Sequence, residues 1–179
     1  MYQIALLDSA RIARSVAAIT LGLVISTVSP AQAEESVTER NRHFIAEAFS
    51  KWARGGTTFF KDVLAPEVVW TIKGSGPTSG VYRGRDEFLK KAVAPFAERL
   101  ASPLRPVVKD IWAERNDVIV HWDGTAVTAD GKSYSNSYVW IFRMKDLRAT
   151  EVTAFLDLVP YDDVLNRIKR APAQSPEDN

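Results

Sequence analysis

The stretch VIVHWDGTAVTADGKSYSNSYVWIFRM, Val118–Met144, decides the fold. It contains two runs rich in β-branched and aromatic residues, Val118–Ala129 and Lys132–Met144, on either side of the turn Ala129-Asp130-Gly131. Two such runs around an Asp-Gly turn predict an antiparallel pair of strands. Successive side chains of a strand point to opposite faces of its sheet, so each run has two faces of different character.

Two further runs flank this pair and extend the predicted sheet. Val107–Glu114 precedes it and Thr150–Leu158 follows it, with short turns at residues 115–117 and 145–146. Four strands joined in this way predict an antiparallel meander. A closing helix is expected over Pro160–Arg170.

The first half of the domain has helical rather than alternating periodicity. Ser36–Glu39 fits a capping box, and Gly55-Gly56 is a stop signal for the helix that follows it. The remaining elements are a short helix over Thr58–Leu64, a first strand over Val68–Ile72 and a third helix over Asp86–Leu100, bent or begun late at Pro95. Helices followed by a long sheet predict an α+β domain, in which a curved antiparallel sheet wraps around the N-terminal helices and leaves a conical hollow.

The N-terminus has the pattern of a secretory signal peptide. Arg11 and Arg14 precede an apolar run over Val16–Val28, and Ala31-Gln32-Ala33 fits a cleavage site. We therefore expect a signal peptide at residues 1–33, an α+β domain at 34–170, a disordered tail at 171–179 and a periplasmic or secreted mature protein. The alternative is that the segment is retained, which would make it the protein's one contact with a membrane.

Composition narrows the classes of function. Without Arg11, Arg14 and Asp8, the mature chain has equal numbers of basic and acidic residues, which gives no expectation of a nucleic-acid partner. The chain has no cysteine, which excludes disulfides and thiolate chemistry. Because the chain also has only two histidines, few side chains could ligate a metal, and we expect neither a metal nor a cofactor.

The order of several motifs resembles a known family. Leu64-Ala-Pro-Glu-Val-Val-Trp70 follows the short helix, Tyr82-Arg-Gly-Arg-Asp-Glu-Phe88 follows the first strand, and the last strand ends Glu151-Val-Thr-Ala-Phe-Leu-Asp157. From Thr38 to Ile168 the chain resembles the polyketide-cyclase-like (SnoaL-like) branch of the nuclear transport factor 2-like superfamily. This resemblance implies the α+β cone, often as a dimer formed through the outer face of the sheet.

The resemblance also implies a set of site positions. In limonene epoxide hydrolase-type members, an Arg-x-Asp pair and an aspartate ending the last strand form the site; here His121-Trp122-Asp123 and Asp157 match them. The positions that hold the attacking water in those enzymes correspond to Trp70 and Ile72, which do not suit that role. The acid position of ketosteroid isomerase-type members corresponds to Trp140.

His121, Asp123 and Asp157 are therefore the candidate catalytic residues, because an imidazole beside carboxylates in a hollow can exchange a proton near neutral pH. Candidate ligand-binding residues are Trp70, Asn136, Tyr138, Trp140, Phe142 and Phe155. Their aromatic character predicts a pocket for a small apolar molecule.

Structural alternatives remain for these residues. His121 and Asp123 form a hydrogen-bonded pair on an exposed face if Trp122 points inward. The structural alternative for Asp157 is a cap of the C-terminal segment or an ion pair with an arginine. The face opposite the pocket has the apolar residues Val120, Trp122, Val139 and Ile141, which predict a homodimer interface. Two functions follow: a cofactor-independent acid–base enzyme (an isomerase, cyclase, lyase or hydrolase), or an exported, non-catalytic ligand-binding or scaffold domain.

Overall fold

The computed structural model describes residues 30–169. The predicted signal peptide, apart from residues 30–33, and the predicted tail at 171–179 lie outside these residues. The helices are α1 (Pro30–Ala53), α2 (Phe59–Val63), α3 (Arg85–Phe88), α4 (Ala94–Ala97) and α5 (Leu158–Arg167). The strands are β1 (Leu64–Ile72), β2 (Gly80–Arg83), β3 (Arg105–Glu114), β4 (Asp117–Val127), β5 (Ser133–Lys145) and β6 (Arg148–Leu156). Among the described helices, none is long and apolar enough to cross a membrane.

The six strands form one sheet in the order β2-β1-β6-β5-β4-β3. The predicted meander from β3 to β6 is confirmed, with antiparallel pairing throughout. The sheet continues beyond the meander because β1 pairs with β6 in parallel and with β2 in antiparallel orientation. The short β2 was not predicted, since four residues after a Gly-rich loop give too little alternation to be recognised.

Helix α1 packs across β3 and β4 and supplies part of the core. Ile45 and Phe49 are fully buried, one helical turn apart. The helix ends at the predicted glycine pair: Gly55 has a φ of 105°, and the Gly56 N–H donates to the Lys51 carbonyl at 2.9 Å. Its start differs from the prediction, since the helix begins at Pro30 rather than at the Ser36 capping box.

The predicted third helix is one helical segment with a π-helical turn at Leu89–Val93 between α3 and α4. Ala94 N–H donates to the Leu89 carbonyl, five residues back, and Pro95 follows with no N–H to donate. The wide turn accommodates the proline ring without ending the helix. The α3 part of this segment packs against β1 and β2, and α1 packs against β3 and β4, so the predicted α+β class with helices against a curved sheet is confirmed.

Candidate ligand-binding cavity

A cavity of about 560 Å³ lies between the concave face of the sheet and the helices. Its walls come from the end of α1, from α2, from the helical segment at residues 85–97 and from the inner faces of β1, β4, β5 and β6. Nine aromatic side chains line it: Trp52, Phe59, Phe60, Trp70, Phe88, Trp122, Tyr138, Trp140 and Tyr161. The volume is within the usual range for small-molecule sites, and the lining has their usual apolar character.

Trp140 lies at the centre of the aromatic wall. The rings of Trp70 and Trp122 meet it nearly at right angles, with centroids 5.0 and 4.7 Å away. Each of these two rings is in turn stacked on another ring at 4.0 Å: Trp70 on Phe88, and Trp122 on Tyr138. Such contacts hold every ring in one orientation, so this part of the cavity has a fixed shape.

Strand register explains how these rings meet. Trp122 is directly opposite Tyr138 in the β4–β5 pair, and Trp140 is opposite Ala154 in the β5–β6 pair. The small residue Gly124 is required next to the stack, because a Cβ there would lie 2.9 Å from both the Trp122 and the Tyr138 rings. Small residues at these positions leave the space that the large rings occupy.

Two buried donors in the wall lack partners. The indole Nε1 atoms of Trp70 and Trp122 have no hydrogen-bond partner among the described residues, although both side chains are almost completely buried. A buried N–H without an acceptor is costly, and such groups in a native fold call for an explanation. Both nitrogen atoms are inaccessible from the cavity, so the unpartnered N–H groups are a cost of packing these rings in the wall.

A second polar feature lies behind the wall. The hydroxyls of Tyr134 and Tyr138 are 2.7 Å apart, and the Asn136 amide nitrogen donates to the Tyr134 oxygen at 3.0 Å. Burial is the main cause that raises the pKa of both tyrosines, and the pKa of Tyr138 is well above its ordinary value. Both phenols therefore remain protonated at neutral pH.

Most of the exposed residues of the lining lie in the Gly55–Thr57 loop and in the segment Ala101–Arg105. Arg105 links the two: its guanidinium lies against Gly55 and donates to the Trp52 carbonyl at 3.4 Å. Among the charged side chains of the described residues, Arg105 is the one that lines the cavity. No aspartate, glutamate or histidine of the described chain is part of this lining.

His121 and Asp123 do not lie in the cavity, and their predicted placement is wrong. Trp122 is the inward residue of β4, so its two neighbours point to the outer face of the sheet. There His121 Nδ1 lies 3.8 Å from Asp110. Asp123 accepts a hydrogen bond from Ser137 at 2.6 Å and pairs with Lys109 at 3.0 Å.

Asp157 and Phe155 are also outside the cavity. Asp157 is the N-cap of α5 and accepts from the Val159 N–H at 2.9 Å, as the capping alternative anticipated. Phe155 pairs with Val139 on the outer face and is 45% exposed. The three candidate catalytic residues are thus separated from the cavity, and its geometry gives no support to their acid–base role.

The candidate ligand-binding residues of β5 and β1 occupy different positions relative to the cavity. Tyr138 and Trp140 line the cavity, as does Trp70 of β1. Phe142 is fully buried core beside Phe49. Asn136 lies behind the wall, in the tyrosine network.

Sequence reasoning missed three kinds of lining residue. Trp122 was assigned outward because His121 and Asp123 were read as the functional pair. Trp52 and the phenylalanines of α2 reach the cavity from helices, where strand alternation has no bearing. Arg105 carried no signal, since an arginine at the start of a strand is unremarkable in sequence. In the described part of the chain, no three His, Asp or Glu side chains are grouped to hold a metal.

Comparison with known proteins supports the same fold. The structure is similar to a SnoaL-like polyketide cyclase candidate from Jannaschia sp. CCS1, with a TM-score of 0.58 and 17% identity over 74% of this chain and 96% of that one. It is similar to TerC, co-crystallised with polyporic acid, with a TM-score of 0.57 and 18% identity over 70% and 98%. It is also similar to AclR, a candidate hydroxylase from Streptomyces galilaeus, with a TM-score of 0.58 and 17% identity over 75% of this chain and 90% of that one.

No curated protein sequence is significantly similar to the chain. The model of the SnoaL-like domain, however, matches residues 45–152, which include β1 to β5 and most of β6. That match covers more than half of the chain and most of the strands that line the cavity. The chain therefore belongs to the SnoaL-like domain family.

Proposed function

We propose that this protein binds a small, ring-containing and largely apolar molecule in the cavity. The observation that carries the proposal is the fixed aromatic wall around Trp140, which encloses about 560 Å³ of space. Flat apolar molecules gain from burial against such a wall and from stacking on its rings.

Between the two functions considered from sequence, the cavity favours the binding domain. The titratable side chains of its described lining are Tyr138, Tyr161 and Arg105. Burial raises the pKa of both tyrosines, so both phenols stay protonated at neutral pH and neither can accept a proton as a general base. A general base would have to come from outside this lining. TerC, a protein of the same fold, was co-crystallised with an organic compound, which is consistent with a binding role here.

Intrinsic fluorescence offers a direct test. Four of the five tryptophans line the cavity, and the fifth, Trp112, is half exposed on the outer face of the sheet. Titration with 2-acetylnaphthalene or polyporic acid should quench the buried, blue-shifted emission and leave the red-shifted emission of Trp112. Liquid chromatography of the recovered probe should show it unchanged, whereas turnover would favour the enzyme.

A matched pair of variants locates the binding. Ala97 is an exposed residue of the cavity lining, so Ala97→Phe should narrow the cavity and weaken binding about tenfold or more. Ala129 is exposed at the β4–β5 turn and is not part of the lining, so Ala129→Phe should have no effect. Saturable binding that both variants retain equally would place the ligand elsewhere and refute the proposal.

We also propose that the protein is exported, with residues 1–33 as a cleaved signal peptide. The basic, apolar and small-residue pattern of that segment supports this. Expression of the full chain in a bacterium with an outer membrane should yield periplasmic protein whose N-terminus, by mass spectrometry, is Glu34. Full-length protein in the membrane fraction would favour an uncleaved anchor instead.

We propose further that two copies associate through the outer sheet face. Trp112, Ile119 and Ile141 form one row across β3, β4 and β5, beside the exposed Phe155 of β6. Such a patch on a sheet is typical of an interface between identical subunits. Light scattering should give a dimer, and Trp112→Glu a monomer. Val159→Glu, at an exposed apolar site on α5, should leave the dimer intact.

A further inference from the structure

The polar side chains of the cavity lining are unevenly distributed. Apart from the aromatic residues, the lining residues with a polar side chain are Thr57, Ser102 and Arg105, which belong to the Gly55–Thr57 loop and the Ala101–Arg105 segment. The other side chains of the described lining are aromatic or aliphatic. A molecule in the cavity would therefore meet an apolar surface over most of its area and polar groups on one side.

The position of the Arg105 guanidinium connects it to this cavity. Its Nη1 atom lies 3.3 Å from the point that a Cβ on Gly55 would occupy, and it donates to the Trp52 carbonyl at 3.4 Å. Arg105 also borders a second depression, but Trp52 and Gly55 line the aromatic cavity and not the second depression. The charged end of the side chain is therefore at the rim of the aromatic cavity.

The backbone of Arg105 is held close to the aromatic wall. Arg105 is the first residue of β3 and pairs with β4. The preceding Leu104 approaches Gly124, where a Cβ would lie 3.1 Å from the Leu104 Cδ1 atom and 2.9 Å from the stacked rings of Trp122 and Tyr138. The charge is thus anchored one residue away from a contact with this part of the wall.

Arg105 has hydrogen-bond donors that the described chain does not use. It forms no ion pair with a described carboxylate, whereas Lys51, Lys109 and Arg143 each have one. Its hydrogen bond to the Trp52 carbonyl is long and leaves most of the guanidinium N–H groups without a described acceptor. The planar fork of a guanidinium matches the two oxygens of a carboxylate.

We propose that Arg105 binds a carboxylate of the ligand, so that the cavity selects ring-containing acids over neutral compounds of the same shape. The inference rests on the proposed function, since it names the polar group of the molecule that the cavity binds. No aspartate or glutamate of the described lining opposes an anion there. Because Arg105 is exposed, the bound carboxylate keeps part of its hydration, and the preference is moderate.

The test uses two probes of nearly the same shape, 2-naphthoate and 2-naphthamide, which differ in a carboxylate against a neutral carboxamide. Calorimetric titration at neutral pH should show that the wild-type protein binds the naphthoate more tightly. Arg105→Gln should lower the ratio of naphthoate to naphthamide affinity about three- to tenfold, because the amide has no charge to pair. Added salt should lower the same ratio in the wild type.

Arg54→Gln is the matched control. Arg54 is an exposed arginine directly before Gly55; it donates to the Ser50 hydroxyl and is not part of the lining. Its substitution removes the same charge close to the cavity, and the ratio should stay within about twofold of the wild-type value. Arg105→Lys keeps the charge without the planar fork and should retain part of the preference.

The contact with the Trp52 carbonyl also allows a purely structural role, in which Arg105 stabilises the end of α1. In that case Arg105→Gln would weaken both probes by the same factor and leave their ratio unchanged. That result, equal affinities of the wild type for the two probes, or an equal loss of the ratio in Arg54→Gln would refute the role of Arg105, while the binding function stands. If neither probe binds the wild type, the proposed function fails, and this inference with it.

Discussion

The two faces of β4 show how differently neighbouring residues of one strand can be used. Trp122 is fully buried in the cavity wall, between the Tyr138 ring and the edge of Trp140. His121 and Asp123, one residue to either side, lie on the outer face with ion-pair partners on β3. A three-residue stretch thus contributes one side chain to a candidate binding site and two to the surface.

Chemical reactivity therefore does not predict which face of this strand lines the cavity. The outer face has the imidazole and the carboxylates, in salt bridges that are half exposed and worth little to stability. The inner face has rings and phenols, which have little acid–base reactivity but define the shape of the cavity. Under the proposed binding function, these inner-face groups select among ligands.

The largest expected effect comes from substituting each face of β4 in turn. Trp122→Ala removes a buried ring from the core and should lower the free energy of unfolding by about 3–5 kcal/mol. His121→Ala removes a partly exposed group and should change it by less than about 0.5 kcal/mol. Urea unfolding followed by circular dichroism measures both, and similar losses for the two variants would contradict the assignment of the faces.

Ligand binding also distinguishes the outer-face residues from the cavity lining. His121→Ala and Asp157→Asn should each leave the dissociation constant for 2-acetylnaphthalene within about twofold of the wild-type value, because neither residue lines the cavity. A tenfold weakening by either variant, with an unchanged unfolding curve, would instead return these residues to the site.

The next effect separates the two faces of β5. Asn136→Ala removes a buried amide that holds the backbone of Asp157 and the Tyr134 hydroxyl, and should cost about 2–3 kcal/mol. Ser137→Ala, one residue further on the outer face, removes an exposed hydrogen bond to Asp123 and should cost about 1 kcal/mol or less. Thermal or urea unfolding of the pair checks this, and a larger loss for Ser137→Ala would reverse the comparison.

Much of the fold followed from the sequence because its signals are local. Long alternating runs and the Asp-Gly turn located β3 to β6 to within a few residues, and the Gly-Gly pair located the end of α1. The turn at Asp146-Leu147 has positive φ at both residues, a two-residue hairpin turn that links β5 to β6 closely. Pairing of β1 with β6 joins segments about 80 residues apart and has no local signal.

The candidate site was predicted only in part, because its orientation depends on which face of a strand meets the helices. Alternation placed the candidates Asn136, Tyr138 and Trp140 on one face of β5, and all three are buried. On β4 the same rule left a choice between Trp122 and the His121–Asp123 pair, and the choice of the reactive residues proved wrong. Burial of the larger apolar side chain is the stronger physical effect, since fully burying a ring contributes several times more than an exposed ion pair.

The smallest expected effect concerns the outer face at low pH. Hydrogen bonds from Ser137 and then Lys109 hold the pKa of Asp123 below its ordinary value of 3.8. A carboxyl whose pKa is lowered on folding stabilises the native state above its ordinary value, and that contribution is lost as the pH falls through the lower folded value. The midpoint of urea unfolding should therefore drop more steeply below about pH 4 in the wild type than in Asp123→Asn.

Asp110→Asn is the matched control for this last comparison. Asp110 is a carboxylate on the same face, but the distance to its partner His121 is 3.8 Å, against 2.6 and 3.0 Å for the two contacts of Asp123. Because its contact is longer and exposed, Asp110→Asn should change the free energy of unfolding at neutral pH by less than Asp123→Asn does. Coincident profiles for Asp123→Asn and the wild type would mean that Ser137 and Lys109 do not hold Asp123 in solution. The outer face would then be a surface of independent charges, and its apolar row would be the part that matters for association.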